Sequence, residues 1–337
     1  MDVHGLRRPR LAVTLAGLLI GCFDAPRLSA VEVPAGDSVL TRVPIKSPIE
    51  GRAMEQQDPD AAAELPAIRA AGRAIQPLHL PKAKPKPGDW LATHDEPGQT
   101  FDEYRASNPN RPTPRRTTLY IQPLGDFDAV QSKLIAATAE MLGRFYGVPV
   151  RVLDAIGLDR IPASARRVHP TWGDPQVLST YVLDRLRQRR PADAVALLAL
   201  TTADLWPGAG WNFVFGQAAL RDRVGVWSLY RQGDPHQDFT TCLRRTLKTA
   251  VHEMGHMLGI AHCTAYECGM NGSNHRAEAD ARPLGFCPEC EMKVWWACRV
   301  DPASRYQRLA EFAEARGLDP EARAWRTSLA AIRRRPR

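Results

Sequence analysis

Three of the chain's nine histidines fall in one short run: His252-Glu253-Met254-Gly255-His256-Met257-Leu258-Gly259-Ile260-Ala261-His262. No other stretch constrains the fold as tightly. A helix turns about 100° per residue, so His252 and His256 lie on one face, a turn apart, and can bind one ion. Glu253, beside the first ligand, reaches a water on that ion rather than the ion itself. Gly259 ends the helix three residues after His256, because glycine accepts the left-handed backbone of a sharp reversal. The reversal returns His262 as a third ligand. Three neutral imidazoles leave a fourth position open, which is the pattern of catalytic rather than structural zinc. The chemistry expected there is hydrolysis. Zinc lowers the pKa of a water towards ~7, and Glu253 takes its proton and passes it to a leaving amine.

A second constellation starts at the next residue. Cys263 and Cys268 form one pair, and Cys287-Pro288-Glu289-Cys290 forms another. Two such knuckles make a closed structural zinc site with four thiolates. Two disulfides are the alternative in an exported protein, although a C-x-x-C loop is tight for one. Because His262 and Cys263 are adjacent, a metal on the cysteines would brace the third histidine. Two zinc ions are therefore expected, one catalytic and one structural. Cys242 and Cys298 either pair or remain buried thiols.

The 337 residues include 28 prolines, more than half of them at or before Pro114. Each proline fixes φ and removes a donor, so the length overstates the core. The expected division is a leader over 1–22, a mostly disordered proline-rich tether over 23–87 and a strap over 88–116. A catalytic domain follows over 117–317, then a basic tail over 318–337. The tether allows one short helix near 60–74, interrupted by Pro66. In the catalytic domain, strands are expected at 117–123, 149–153, 194–200, 213–218 and 224–229. Helices are expected at 128–146, 174–190, 239–258 and 302–316. The alternation predicts a mixed sheet with helices on it, an α+β fold.

The leader has Arg7, Arg8 and Arg10 ahead of the apolar run Leu11–Cys22, too short for a membrane span. Its end, Leu19-Ile20-Gly21-Cys22, resembles a bacterial lipobox, which marks Cys22 for lipidation. Cleavage near Ala30 is the rival reading, and Arg7-Arg8 weakly resembles a twin-arginine signal. The chain is expected to be exported, either as a membrane-anchored lipoprotein or in the periplasm, with the cytoplasm as the alternative. The net charge of +8 comes from a diffuse arginine excess, so no nucleic-acid partner is expected.

The histidine run is the metzincin signature H-E-x-x-H-x-x-G-x-x-H. Together with Cys268-Gly269-Met270 and Cys287-Pro288-Glu289-Cys290, the chain resembles the archaemetzincins. Segments at 120–127, 201–206, 213–218 and 272–290 resemble that family too, as does 88–104, so the likeness spans roughly 88–316. It implies a zincin fold: a twisted mixed sheet with a backing helix and an active-site helix, and a small zinc-braced C-terminal part. It implies a zinc peptidase acting on peptide or protein substrates, aminopeptidase-like on short peptides in some members. Met270 matches the Met-turn beneath the histidines, a packing role. By the same analogy Phe213–Ala218 is the cleft-edge strand. Asp204, His275 and Asp280 either support the site or serve as ordinary surface and capping residues. The competing functional reading is a membrane-anchored, zinc-stabilised binding protein with little catalysis.

Overall fold

A computed structural model of the chain describes residues 21–22, 59–219 and 221–334. The leader reading falls outside these residues, apart from Gly21–Cys22. In chain order the elements are β1 (Gly21–Cys22), α1 (Pro59–Ile75), α2 (Trp90–Thr93), α3 (Phe101–Ala106), β2 (Thr118–Leu124) and α4 (Ala129–Tyr146). Next come β3 (Val150–Val152), β4 (Arg166–Val168), β5 (Pro175–Leu178), α5 (Ser179–Arg189), β6 (Ala194–Thr201) and β7 (Asp204–Trp206). The carboxyl-terminal half holds β8 (Gly216–Ala219), β9 (Val224–Ser228), α6 (Phe239–Met257), α7 (Arg276–Ala281), α8 (Pro288–Cys298), α9 (Pro302–Glu314) and α10 (Asp319–Arg333).

The main sheet runs β1-β8-β9-β6-β2-β3 and is mixed: β8 pairs antiparallel with β9, and the other pairings are parallel. Its central strand β6 is AVALLALT, buried throughout, because helices cover both faces. One face packs on α4 and α6 through Leu134, Met141, Leu247 and Val251. The other packs on α5 through Val182, Leu183 and Leu186. Helix α6 lies along the sheet so that Glu253 faces Gly216 of β8 and Met257 faces Gly225 near the start of β9. No helix among the described residues is long and apolar enough to cross a membrane.

Four expectations require correction. The helix expected over 174–190 splits, because Pro175–Leu178 pairs as a strand with β4 and β7 before α5 begins. The strand expected over 213–218 is regular only from Gly216, with Val214 making a lone bridge to Leu205. The tether does not extend to residue 87. Helix α1 continues through Pro66 and buries Ile68, Ala71 and Ile75 in the main core. A Cβ on Gly72 would come within 2.6 Å of Met292 Sδ, so α1 and α8 pack almost backbone to side chain. The proline-rich stretch after α1 is also docked, with Lys82 N–H donating to Ala265 O and Glu267 N–H to Leu80 O. Finally, the basic tail is largely a helix. Helix α10 buries Ala322, Trp325 and Leu329 beside α9, and a buried side chain of Leu or Trp size contributes about 2 kcal/mol or more. Its apolar positions recur at helical spacing, a signal hidden by the dense arginines around them.

Candidate metal centre

Helix α6 is capped at its start by Asp238, whose side chain accepts from Thr241 N–H. Past its last turn Gly259 takes φ +84°, the left-handed turn expected of it. There a Cβ would press on Pro109, 3.1 Å away. Beyond that reversal His262 returns to the two helical histidines. The His252 and His256 rings are 4.5 Å apart, and His262 lies 5.3 and 4.9 Å from them. One ligand nitrogen from each lies within 4.8 Å of the others, and all three residues are buried.

The outer nitrogens explain how the rings are aimed. His252 Nδ1 is 2.9 Å from Gly269 O, His256 Nδ1 is 2.8 Å from Ile260 O, and His262 Nδ1 is 2.9 and 3.0 Å from the two Glu96 oxygens. A ring that donates from Nδ1 presents a bare Nε2. His252 and His256 Nε2 approach to 2.9 Å, and His262 Nε2 is buried with no hydrogen-bond partner. Such a buried orphan acceptor is costly unless something else satisfies it, so three lone pairs converging on one point fit a cation. Burial, with the Arg282 charge and the neighbouring rings, holds His252 well below the usual imidazole range; burial does the same for His256. Neutral rings are the ligating form.

Glu253 is buried, and neither carboxylate oxygen has a partner. Burial raises it to about 8, while the Arg282 charge opposes the rise. Its wall is β8: a Cβ on Gly216 would fall 2.9 Å from Glu253 Oε1, so only glycine lets the strand pass. Arg282 lies behind the site, with Nη1 2.9 Å from Asn271 O and from His252 Nδ1. Met270 lies beneath. Its Sδ would meet a Cβ on Gly255 at 2.6 Å, which explains why the second variable position of the H-E-x-x-H stretch is glycine here. Tyr146 Oη donates to Val251 O and fixes α6 against α4.

The four cysteines Cys263, Cys268, Cys287 and Cys290 also converge, all buried, with their sulfur atoms within 4.8 Å of one another. Cys263 and Cys287 Sγ are 3.6 Å apart with no disulfide between them, and all four of these cysteines, like Cys242 and Cys298, are free thiols. Hydrogen bonds from the other three sulfurs pull Cys263 down, while burial pushes Cys268 up. Four thiols packed this closely cannot all ionise without a cation among them. Asn271 fixes the first knuckle: its amide donates to Cys263 O and Tyr266 O, and its Oδ1 accepts from Cys268 N–H.

The remaining expected residues lie elsewhere. Asp204 is buried in an ion pair with Arg231, and Asp280 pairs with Arg245. His275 caps α7, accepting from Glu278 N–H, while its Nε2 bonds Asp89. Asp89, His275 and Glu278 also bring ligand atoms together. Those atoms are already engaged, because the Glu278 carboxylate accepts from Trp90 N–H and Asn274 N–H. Sequence reasoning missed Glu96, Gly216, Asn271 and Arg282. Only Asn271 carried a local signal, as the neighbour of Met270.

Comparison with known proteins identifies the family of the chain. The model of peptidase family M54 matches residues 176–295, a stretch that contains both clusters. Archaemetzincin-2 of Pongo abelii is 31% identical over 291 residues, covering 74% of this chain and 80% of the relative. Human archaemetzincin-2 is 30% identical over the same length and shares. The crystal structure of an archaemetzincin from Methanopyrus kandleri aligns with a TM-score of 0.46 at 29% identity, over 56% of this chain and 99% of that one. With the signature in place and relatives matched over most of their length, this chain belongs to the archaemetzincins, zinc metallopeptidases of family M54.

Proposed function

We propose that His252, His256 and His262 hold a catalytic zinc, that Cys263, Cys268, Cys287 and Cys290 hold a structural zinc, and that Glu253 is the general base for hydrolysis of short peptides. One observation carries the reading. All three imidazoles are tied at Nδ1, so their Nε2 atoms converge beside a carboxylate whose oxygens have no other partner. A zinc ion there supplies Lewis acidity towards a water and a peptide carbonyl. Glu253 takes the proton of the attacking water and delivers it to the leaving amine. Burial pushes the Glu253 carboxyl up, and the charge of a bound zinc would pull it back down. Arg282 supplies fixed positive charge behind the first ligand. Strand β8 borders Glu253 at Gly216, and its outer edge pairs with β1 at Gln217 and Ala218, so an extended peptide would add to β8 only in place of β1.

Metal analysis combined with hydrolysis tests the assignment. Wild type is expected to hold two zinc ions per chain and His256→Ala one. Glu253→Ala is expected to keep both ions and lose hydrolysis of a peptide ladder with free and acetylated amino termini. Two ions retained in His256→Ala, or wild-type hydrolysis by Glu253→Ala, overturns it. Membrane anchoring rests on the leader sequence alone. An acylated mature Cys22 in mass spectrometry supports it, and an unprocessed Met1 ends it.

A further inference from the structure

The third histidine differs from the other two in its support. His252 and His256 stand on α6, and their Nδ1 atoms face backbone carbonyls of the same site, Gly269 and Ile260. His262 lies past the Gly259 turn on a loop, with no helix to aim it. Its Nδ1 faces a carboxylate contributed from 166 residues earlier, Glu96, through both oxygens. Trp90 packs edge-on against the same ring with centroids 5.1 Å apart. Glu96 is itself held on both sides. Before it, Trp90 N–H is bound by Glu278, and Asp89 pairs with His275. After it, Gln99 accepts from Ala261 N–H, and Phe101 N–H donates to Glu289, between the two cysteines of the second knuckle. Tyr104 Oη donates to Leu258 O at the end of α6.

We infer that the amino-terminal strap completes the metal site: Glu96 is a positioning residue that fixes the His262 ring and raises its basicity as a ligand. The inference rests on the histidine-site reading above. A carboxylate accepting from Nδ1–H sets the tautomer, holds the ring plane and pushes electron density towards Nε2, and loss of such a partner weakens metal binding about 10- to 100-fold. A carbonyl partner holds orientation with less charge, so Gln at this position retains part of the effect. The active site of this chain is therefore bipartite, with one of its determinants outside the sheet-and-helix domain that bears the ligands.

The test is competition for zinc by a chelator on the full chain, with Co2+ substitution as a spectroscopic readout. Glu96→Ala is expected to weaken the histidine-site ion about 10- to 100-fold and to alter the cobalt d–d bands, leaving the cysteine-site ion unchanged. Glu96→Gln is expected to fall between Glu96→Ala and wild type, and it preserves the test should the alanine variant fold poorly. Asp102→Ala removes a strap contact, to Arg69, that touches neither His262 nor Glu96, and is expected to stay within about threefold of wild type. Affinity in both Glu96 variants within threefold of wild type overturns the inference. Equal weakening in Asp102→Ala also overturns it, because Glu96 would then only tether the strap. A wild-type chain that lacks the ion lost in His256→Ala defeats the underlying site reading instead, so the two failures are distinct.

Discussion

The histidine and cysteine clusters adjoin at His262 and Cys263, yet they are built on opposite principles. Around the cysteines the ligand atoms close on one another: four sulfurs converge, and Asn271 ties the first knuckle. Next to them, the Glu291–Arg305 pair joins α8 to α9 with both side chains fully buried, leaving Glu291 Oε1 and Arg305 Nη2 without partners. Around the histidines the outer atoms are equally well fixed, but the inner ones are not, since His262 Nε2 and both Glu253 oxygens have no partner. A structural site needs every valence filled by the protein. A catalytic site needs rigid ligands around groups left free for a substrate. The contrast shows where this molecule invests in stability and where it keeps capacity for chemistry.

Replacing Glu253 tests that contrast most severely. Glu253→Gln is expected to lower peptide hydrolysis by about 10²- to 10⁴-fold with both zinc ions retained, measured by steady-state kinetics and metal analysis. Retained activity would make the unpartnered carboxylate a packing feature. Next, Cys287→Ser is expected to cost at least about 4 kcal/mol, or roughly 10 °C in Tm, by calorimetry. An unchanged Tm would mean that the closed cluster is not a structural brace. Glu291→Ala is expected to cost about 3–5 kcal/mol in urea denaturation, because it leaves the Arg305 charge buried and uncompensated. A loss below 1 kcal/mol would show that the region beside the cysteines is less rigid than its burial implies. The smallest effect belongs to Met270→Leu, a nearly volume-conserving change expected to cost under about 1.5 kcal/mol with both ions bound. Release of the histidine-site ion in that variant would mean that the thioether does more than fill space under Gly255.

Legibility in the sequence followed the range of the interactions. The convergence of the three histidines and the Gly259 turn were readable because one helix and one reversal place them, which is local geometry. The cysteine cluster was readable from its paired spacing. Central elements such as β2, α4, β6 and α6 carried strong periodicity. Helix α1 was legible near 60–74, but its continuity through Pro66 and its packing on α8 at Gly72 were not. Helix α10 was obscured by its charge, although Trp325 and Leu329 lie on its buried face. Pro175–Leu178 read as helix because its strand partners, β4 and β7, are remote in sequence.

The sequence by itself determined the two candidate metal clusters and the family, because those depend on residue types at fixed short spacings. Tertiary structure decided what surrounds them: Gly216 against Glu253, Arg282 behind His252, and Glu96 reaching His262 from the strap. These contacts join residues far apart in the chain, and no local pattern encodes them. Only the folded core, by fixing β8, α7 and the strap around the end of α6, brings them within a few ångströms.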